Sequence, residues 1–315
     1  MSTLAILGGV LQPLLFVLGA PLLLGLIRQI RAKLEGRVGP GIAQPWRDLR
    51  KLVGKDLVNP RGTSEVFRLA PLVLLASVLV VAAVAPFLTT ASVIEPAADL
   101  FAVVATLALG TVALTLAGLD SGTAFGGMGA SREVTILALV EPTLLVAIFA
   151  LSVPIGSTNL ATIVSSTLQD PGQAASPLSL LAAVALAIVI IAENGRLPVD
   201  NPSTHLELTM VHEAMVLEYA GRDLAMVELA SAMRLSVFLG LFANLFVPWG
   251  IATSADPLAL VVGIVALIVK VAAMGAVLAV VEVFLGKLRL FRVPELLAGS
   301  FLLSLLAVAA SFFLG

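Results

Sequence analysis

The sequence predicts an all-α polytopic membrane protein with about eight transmembrane helices. Of its 315 residues, 59% are hydrophobic and 12% charged, with mean hydropathy +1.10; an ordinary soluble domain carries about 25% charge. The apolar residues fall in runs of roughly 20, the length that crosses the hydrocarbon core as a helix. These runs do not alternate in polarity, which excludes barrel strands. The helix is the remaining structure that satisfies its own backbone in lipid.

The runs cover roughly 4–27, 67–88, 99–118, 133–153, 177–193, 226–249, 257–284 and 294–314, the fifth being the shortest. No basic residue precedes the first run and no small-residue cleavage site follows it, so it reads as a membrane helix rather than a signal peptide. The whole chain, 1–315, reads as a single membrane domain. It has no cysteine, so it offers no thiolate for a metal or an iron–sulfur cluster.

Charge sets the expected orientation. Ten basic residues lie between Arg28 and Arg68, and the other loops on that side hold Arg132, Arg196, Arg222, Lys287, Arg289 and Arg292. The opposite loops hold Glu95, Asp99, Asp170 and Asp256 and no Lys or Arg. The positive-inside rule then makes segments 28–66, 119–132, 194–225 and 285–293 cytoplasmic and places both termini outside. Topology accounts for the basic loops, so nucleic-acid binding is not suggested.

In the first of these loops Trp46, Leu49, Val53 and Leu57 share one helical face, and Arg47, Arg50, Lys51 and Lys55 another. That pattern is an interfacial amphipathic helix, or one that docks a partner. Arg37-Val-Gly-Pro-Gly41 before it must turn sharply. The second loop, Gly118–Arg132, is Gly-rich but lacks the Gly-Lys-Ser/Thr of a phosphate loop, and reads as a flexible connector ending in a helix start. In the third, Asn201 caps a helix that begins at Pro202 and ends at Gly221. His205 and His212 share one of its faces, Glu207 and Glu218 another. The external loops, 154–176 among them, are loosely patterned.

Ionisable groups inside apolar runs are the functional candidates. Glu141 lies eight residues into its run, where a charge costs about 2.5–3.5 kcal/mol on insertion scales. Such a group is held by a partner or used for proton or ion movement. Lys270, mid-helix, needs a counter-ion, and a buried Glu is the simplest one. Glu193 ends a helix and Asp200 braces the turn before Pro202. Glu228 and Glu282 lie near helix ends, where solvation is expected. Two histidines on one short helix do not make a metal or haem site. His212-Glu213 does not continue into a zinc-protease motif, and no Gly-x-Ser-x-Gly occurs.

Combined motifs carry a family resemblance. Glu193-x-x-Arg196-x-Pro198-x-Asp200, Glu207-Leu208, Glu218-Tyr219-x-Gly221 and Arg37-x-Gly-Pro-Gly41 resemble the NADH dehydrogenase subunit 1/H family of respiratory complex I. Gly118-Leu-Asp-Ser-Gly122, Gly129-Ala-Ser-Arg-Glu133 and Glu141-Pro142 are similar to its group 4 nickel–iron hydrogenase branch, formate hydrogenlyase subunit 4 and hydrogenase-4 component C. The resemblance runs over nearly the whole chain. It departs at His205 and Ser203, where the family has acids, and in about four extra residues before Glu218. His205 could replace an acid as a relay, because imidazole titrates near neutral pH.

The resemblance implies a non-catalytic coupling subunit in a bacterial or archaeal cytoplasmic membrane. It would link a soluble arm, with iron–sulfur clusters and a nickel–iron centre in its own subunits, to antiporter-like membrane subunits. Relay candidates are Glu141, Glu193, Asp200, His205, Glu207, Glu218 and Lys270. Docking candidates are Arg37, Arg47, Arg50, Lys51, Arg132 and Arg196. The chain itself is expected to hold no cofactor. The alternatives are the quinone-site subunit of a true NADH:quinone oxidoreductase and a stand-alone ion-coupled transporter.

Overall fold

The computed structural model describes residues 3–90, 95–200, 210–253 and 256–314, all helix, turn or loop apart from two isolated bridges. Among the described residues, seven helices are long and apolar enough to cross a membrane. They are α1 (Thr3–Leu34), α3 (Glu65–Val84), α4 (Leu100–Asp120), α5 (Ala124–Ser152), α9 (Gly221–Phe246), α10 (Pro257–Phe284) and α11 (Val293–Leu314). The expected fifth span is α7 (Pro177–Glu193), apolar but only 17 residues long. The described residues also form three short α-helices, α2 (Gln44–Val53), α6 (Leu160–Gln169) and α8 (His212–Val216), and 3-10 turns at Glu95–Ala97, Gln173–Ala175 and Leu290–Arg292.

Caps and composition explain most boundaries. Ser64 accepts from Val66 N at the start of α3, Asp99 from Phe101 N and Ala102 N before α4, and Thr123 from Gly126 N before α5. The Asp99 carboxylate also accepts from the Thr158 hydroxyl; that bond, ahead of the two backbone donors, holds its pKa below the ordinary value despite some desolvation. The bridge between Asp99 and Asn159 joins the start of α4 to the start of α6. The segment 154–176, expected to be loose, thus contains an ordered ten-residue helix capped by Asn159.

Packing joins α3 to α4, α5 to α7 and α11, and α1 to α9 and α10. Phe16 of α1 meets Phe87 edge-on, with ring centroids 4.6 Å apart. Beyond Val84 the chain leaves the helix, and α1 and α9 satisfy its freed backbone. Gln12 donates to Ala82 O and Ala85 O (2.7 Å each) and accepts from Phe87 N and Leu88 N. Asn244 donates to Pro86 O and Phe87 O. Such amides are the internal substitute for water that a broken helix needs in lipid.

Three sequence expectations change. The Gly-rich loop is mostly helix: only Ser121–Thr123 turns, and Gly126, Gly127 and Gly129 lie inside α5. A Cβ on Gly129 would come within 2.8 Å of Val211 O, so this glycine allows α8 to lie against α5. Gly221, with φ +56°, starts α9 instead of ending a helix; a Cβ there would sit 2.7 Å from Asp56 O. Of the helix expected from Pro202 to Gly221, residues 202–209 lie outside the described residues, and over 210–220 only the five residues of α8 are helical. The amphipathic helix forms, but stops at Gly54. Pro45 and Leu49 are buried and Trp46 Nε1 donates to Leu18 O (3.2 Å), whereas Val53 and Leu57 are exposed. Seated beside Leu18, α2 lies against the apolar part of α1.

Candidate functional site

The basic ends of α1, α7, α8, α9 and α10 surround a cavity of about 740 Å³. The two arms of its charge network follow from local structure. Short α7 ends at Glu193, and Asn194 and Gly195 turn the chain so that 196–200 fold back over the bundle. That return buries Glu193, Arg196 and Asp200 together.

The first arm centres on Glu193. Its Oε2 lies 2.8 Å from Arg234 Nη2, and both side chains are almost fully buried. Glu133 of α5, also buried, is within electrostatic reach of Glu193, Arg234 and Asp200. Glu141, two turns deeper on α5, is within reach of Glu193 and Arg234. Its Oε1 is buried with no hydrogen-bond partner among the described residues, as is Arg234 Nε. Asp200 ends the arm: Lys287 Nζ lies 3.1 Å from its Oδ1, and Val211 N donates to its Oδ2.

Glu282 of α10 organises the second arm. It is 3% exposed and takes Arg196 at 3.4 Å on one oxygen and Arg31 at 3.8 Å on the other. Burial pulls the Arg196 guanidinium below its ordinary value; Glu282 opposes this, and the charges of Arg28 and Arg31 add to it. Arg31 also holds Glu35 at 2.9 Å. His212, on the cavity wall, lies 3.3 Å from Ser231 Oγ through Nε2. Burial lowers its pKa to about 4, helped by the positive Arg234 and opposed by Asp200, so the ring is neutral near pH 7.

The structure therefore brings together Glu141, Glu193, Asp200 and Arg196, and adds Glu133, Arg234, Glu282 and Arg31. Arg196, expected as a docking residue, is turned inward onto Glu282. Glu282, expected in solvent, is among the most buried acids. Glu228 is partly buried and lines the cavity. Lys270 meets the neutral Asn244 Oδ1 at 3.1 Å, not a Glu. Glu218 does not line the cavity, and its neighbour Tyr219 stacks on Phe67 and donates to Phe67 O. Burial raises the Tyr219 phenol well above its ordinary value. His205 and Glu207 lie outside the described residues.

Among the docking candidates, Arg47 and Arg50 are exposed on α2, and Arg37 is exposed at the cavity mouth, 3.6 Å from Glu35. Lys51 is exposed as well and borders a smaller recess with Arg28 and Lys55 between α1, α2 and α9. Arg132 donates to Met210 O at 2.9 Å. No group of three or more potential metal ligands occurs among the described residues.

Arg234 is the 14th residue of α9, whereas the apolar run starting near 226 leaves it only about two turns in. Glu133 stood in a motif already singled out. Glu282 had no local signal, because its burial comes from the returning 196–200 segment.

Comparisons with known proteins agree with this architecture. The NADH dehydrogenase family matches residues 8–312. Formate hydrogenlyase subunit 4 of Escherichia coli (strain K12) is 33% identical over 297 residues, covering 94% of this chain and 95% of that protein. Hydrogenase-4 component C of the same organism is 36% identical over 261 residues, 82% of this chain and 81% of that one. A chain of the archaeal membrane-bound sulfane sulfur reductase, a respiratory membrane complex, has the same fold, with TM-score 0.86, 22% identity and 98% and 99% coverage. With a family match across almost its full length and hydrogenase-type relatives over most of it, the chain belongs to the NADH dehydrogenase family.

Proposed function

We propose that this chain is the membrane anchor and coupling subunit of a hydrogenase-type respiratory assembly. Its basic loops face the cytoplasm and receive a soluble arm whose subunits carry iron–sulfur and nickel–iron centres. Arg47, Arg50, Lys51 and Arg37 are exposed cations for that contact. A redox event in the arm changes the charge over the cavity, and the acids beneath respond. The observation that carries this reading is the row of buried ionisable groups from Glu141 in mid-bundle, through Glu193, Arg234 and Glu133, to Asp200 at the basic end. Carboxylates withheld from water change protonation readily when a nearby charge changes. Antiporter-like membrane subunits would carry the ion onward. His205 and Glu207, outside the described residues, and Glu218 are further relay candidates from the third loop.

Mild-detergent purification with mass spectrometry of the co-purifying subunits tests the assembly. A nickel–iron-type large subunit and an iron–sulfur subunit are expected beside the chain; purification alone in transport-competent form would overturn the reading. The second reading, a quinone-site subunit of the complex I type, is supported by the cavity's volume. His212 Nε2 and Ser231 Oγ are neutral polar atoms on its wall suited to a quinone carbonyl, and the quinone would accept the arm's electrons. Quinone retained through purification would select it.

A further inference from the structure

Lys270 is the 14th of the 28 residues of α10, about 20 Å from either end at 1.5 Å per residue. An ammonium at that depth is costly unless it meets an opposite charge. Its hydrogen-bond partner is the neutral Asn244 Oδ1, at 3.1 Å, and the Asn244 amide hydrogens go to Pro86 O and Phe87 O. Among the described residues no carboxylate pairs with Lys270. Two of the bundle's buried acids are engaged at the basic end, Glu193 with Arg234, and Glu282 with Arg196 and Arg31, while Glu141 stands on α5, away from α1 and α9, the main packing partners of α10. Glu282 is 12 residues further along the same helix, about 18 Å away.

Lys270 is also only partly covered, on one of the least buried of the spanning helices. One turn to either side on its strip stand Ala266 and Ala273, followed by the exposed Val277. We propose that this flank of α10 docks a membrane helix of a neighbouring subunit, which brings an Asp or Glu to Lys270 at mid-depth. Asn244 holds the ammonium in place, and the small neighbours let the incoming backbone approach closely. A lipid phosphate is the wrong occupant, because headgroups stay at the bilayer surface. The inference rests on the chain being one subunit of a membrane assembly.

A photo-crosslinking amino acid at Ala273, in the complex purified in mild detergent, tests it. The expected adduct joins one membrane subunit, and mass spectrometry maps it within a turn of an Asp or Glu. Lys270→Glu lowers the yield of that adduct by about tenfold or more, since like charges juxtaposed at an interface cost several kcal/mol. Lys270→Arg retains it, and exchanging the partner's acid for Lys in the Lys270→Glu background restores it. Adducts to phospholipid alone, an adducted helix without an acid, or an unchanged yield in Lys270→Glu would each overturn the inference. A chain that purifies alone overturns both this and the proposed function. Partners that co-purify but never crosslink at Ala273 overturn this inference only.

Discussion

Arg234 of α9 and Glu193 of α7 meet at 2.8 Å, both nearly closed off from solvent. Removing one member of a buried pair costs about 3–5 kcal/mol, whereas replacing both with neutral groups of similar size is often close to neutral. Arg234→Met should therefore sharply lower the unfolding temperature in detergent, and Arg234→Met with Glu193→Gln should recover most of it. Ion transport should stay lost in the double variant. Equal stability of the single and double variants would show that the pair is not the unit that matters.

Glu141→Gln keeps the size of the side chain and removes its titration. The proposed relay predicts a normal yield of assembled complex and proton uptake into inverted vesicles reduced by about tenfold or more, the scale of losing a proton-transfer group. Loss of assembly with residual transport would assign Glu141 a structural role.

Charge reversal of Arg47 and Arg50 should weaken capture of the soluble arm, most strongly at low salt, because both are exposed. Lys51→Glu should weaken it too, since Lys51 is also exposed, at the recess that it borders with Arg28. Pull-downs across a salt series read this out; capture unchanged after reversal of all three would deny the contact.

His212 supplies a pH dependence. Its pKa is lowered from 6.5 to about 4 in the folded chain, chiefly by burial. Between those values the unfolded chain binds the extra proton, so stability rises with pH and levels off above about 6.5. His212→Gln should flatten the difference in unfolding midpoint between pH 4.5 and 7.5. A wild-type slope that survives in the variant would assign it to another group.

Gly25 has no room for a side chain: a Cβ would run into the Ile42 carbonyl. Gly25→Ala should cost about 1–3 kcal/mol, as overpacking does, and loosen Trp46 from Leu18. Thermal unfolding and tryptophan fluorescence measure both; an unchanged spectrum would show that α2 is held elsewhere.

The sequence made the spans legible because each one solves the same problem within its own run of residues. Glu141 was legible for a related reason, since depth in an apolar run is a local property, and Glu193 only as the charge that ends one. The burial of Glu282 and Arg196 was not, because it depends on segment 196–200 folding back onto the end of α10. Lys270 was read correctly as deep but given the wrong neighbour, since Asn244 approaches from a helix that periodicity cannot orient. The glycines of α5 read as a flexible connector, although their smallness serves contact with α8 and with Gly118.

The early exit of α3 bears on how the chain is built. Its freed carbonyls wait for Asn244, which emerges from the ribosome 157 residues after Phe87. Gln12 is already present and can hold the strand provisionally. This corner of the bundle therefore stays unfinished through most of synthesis, and truncations that stop before α9 should be prone to degradation.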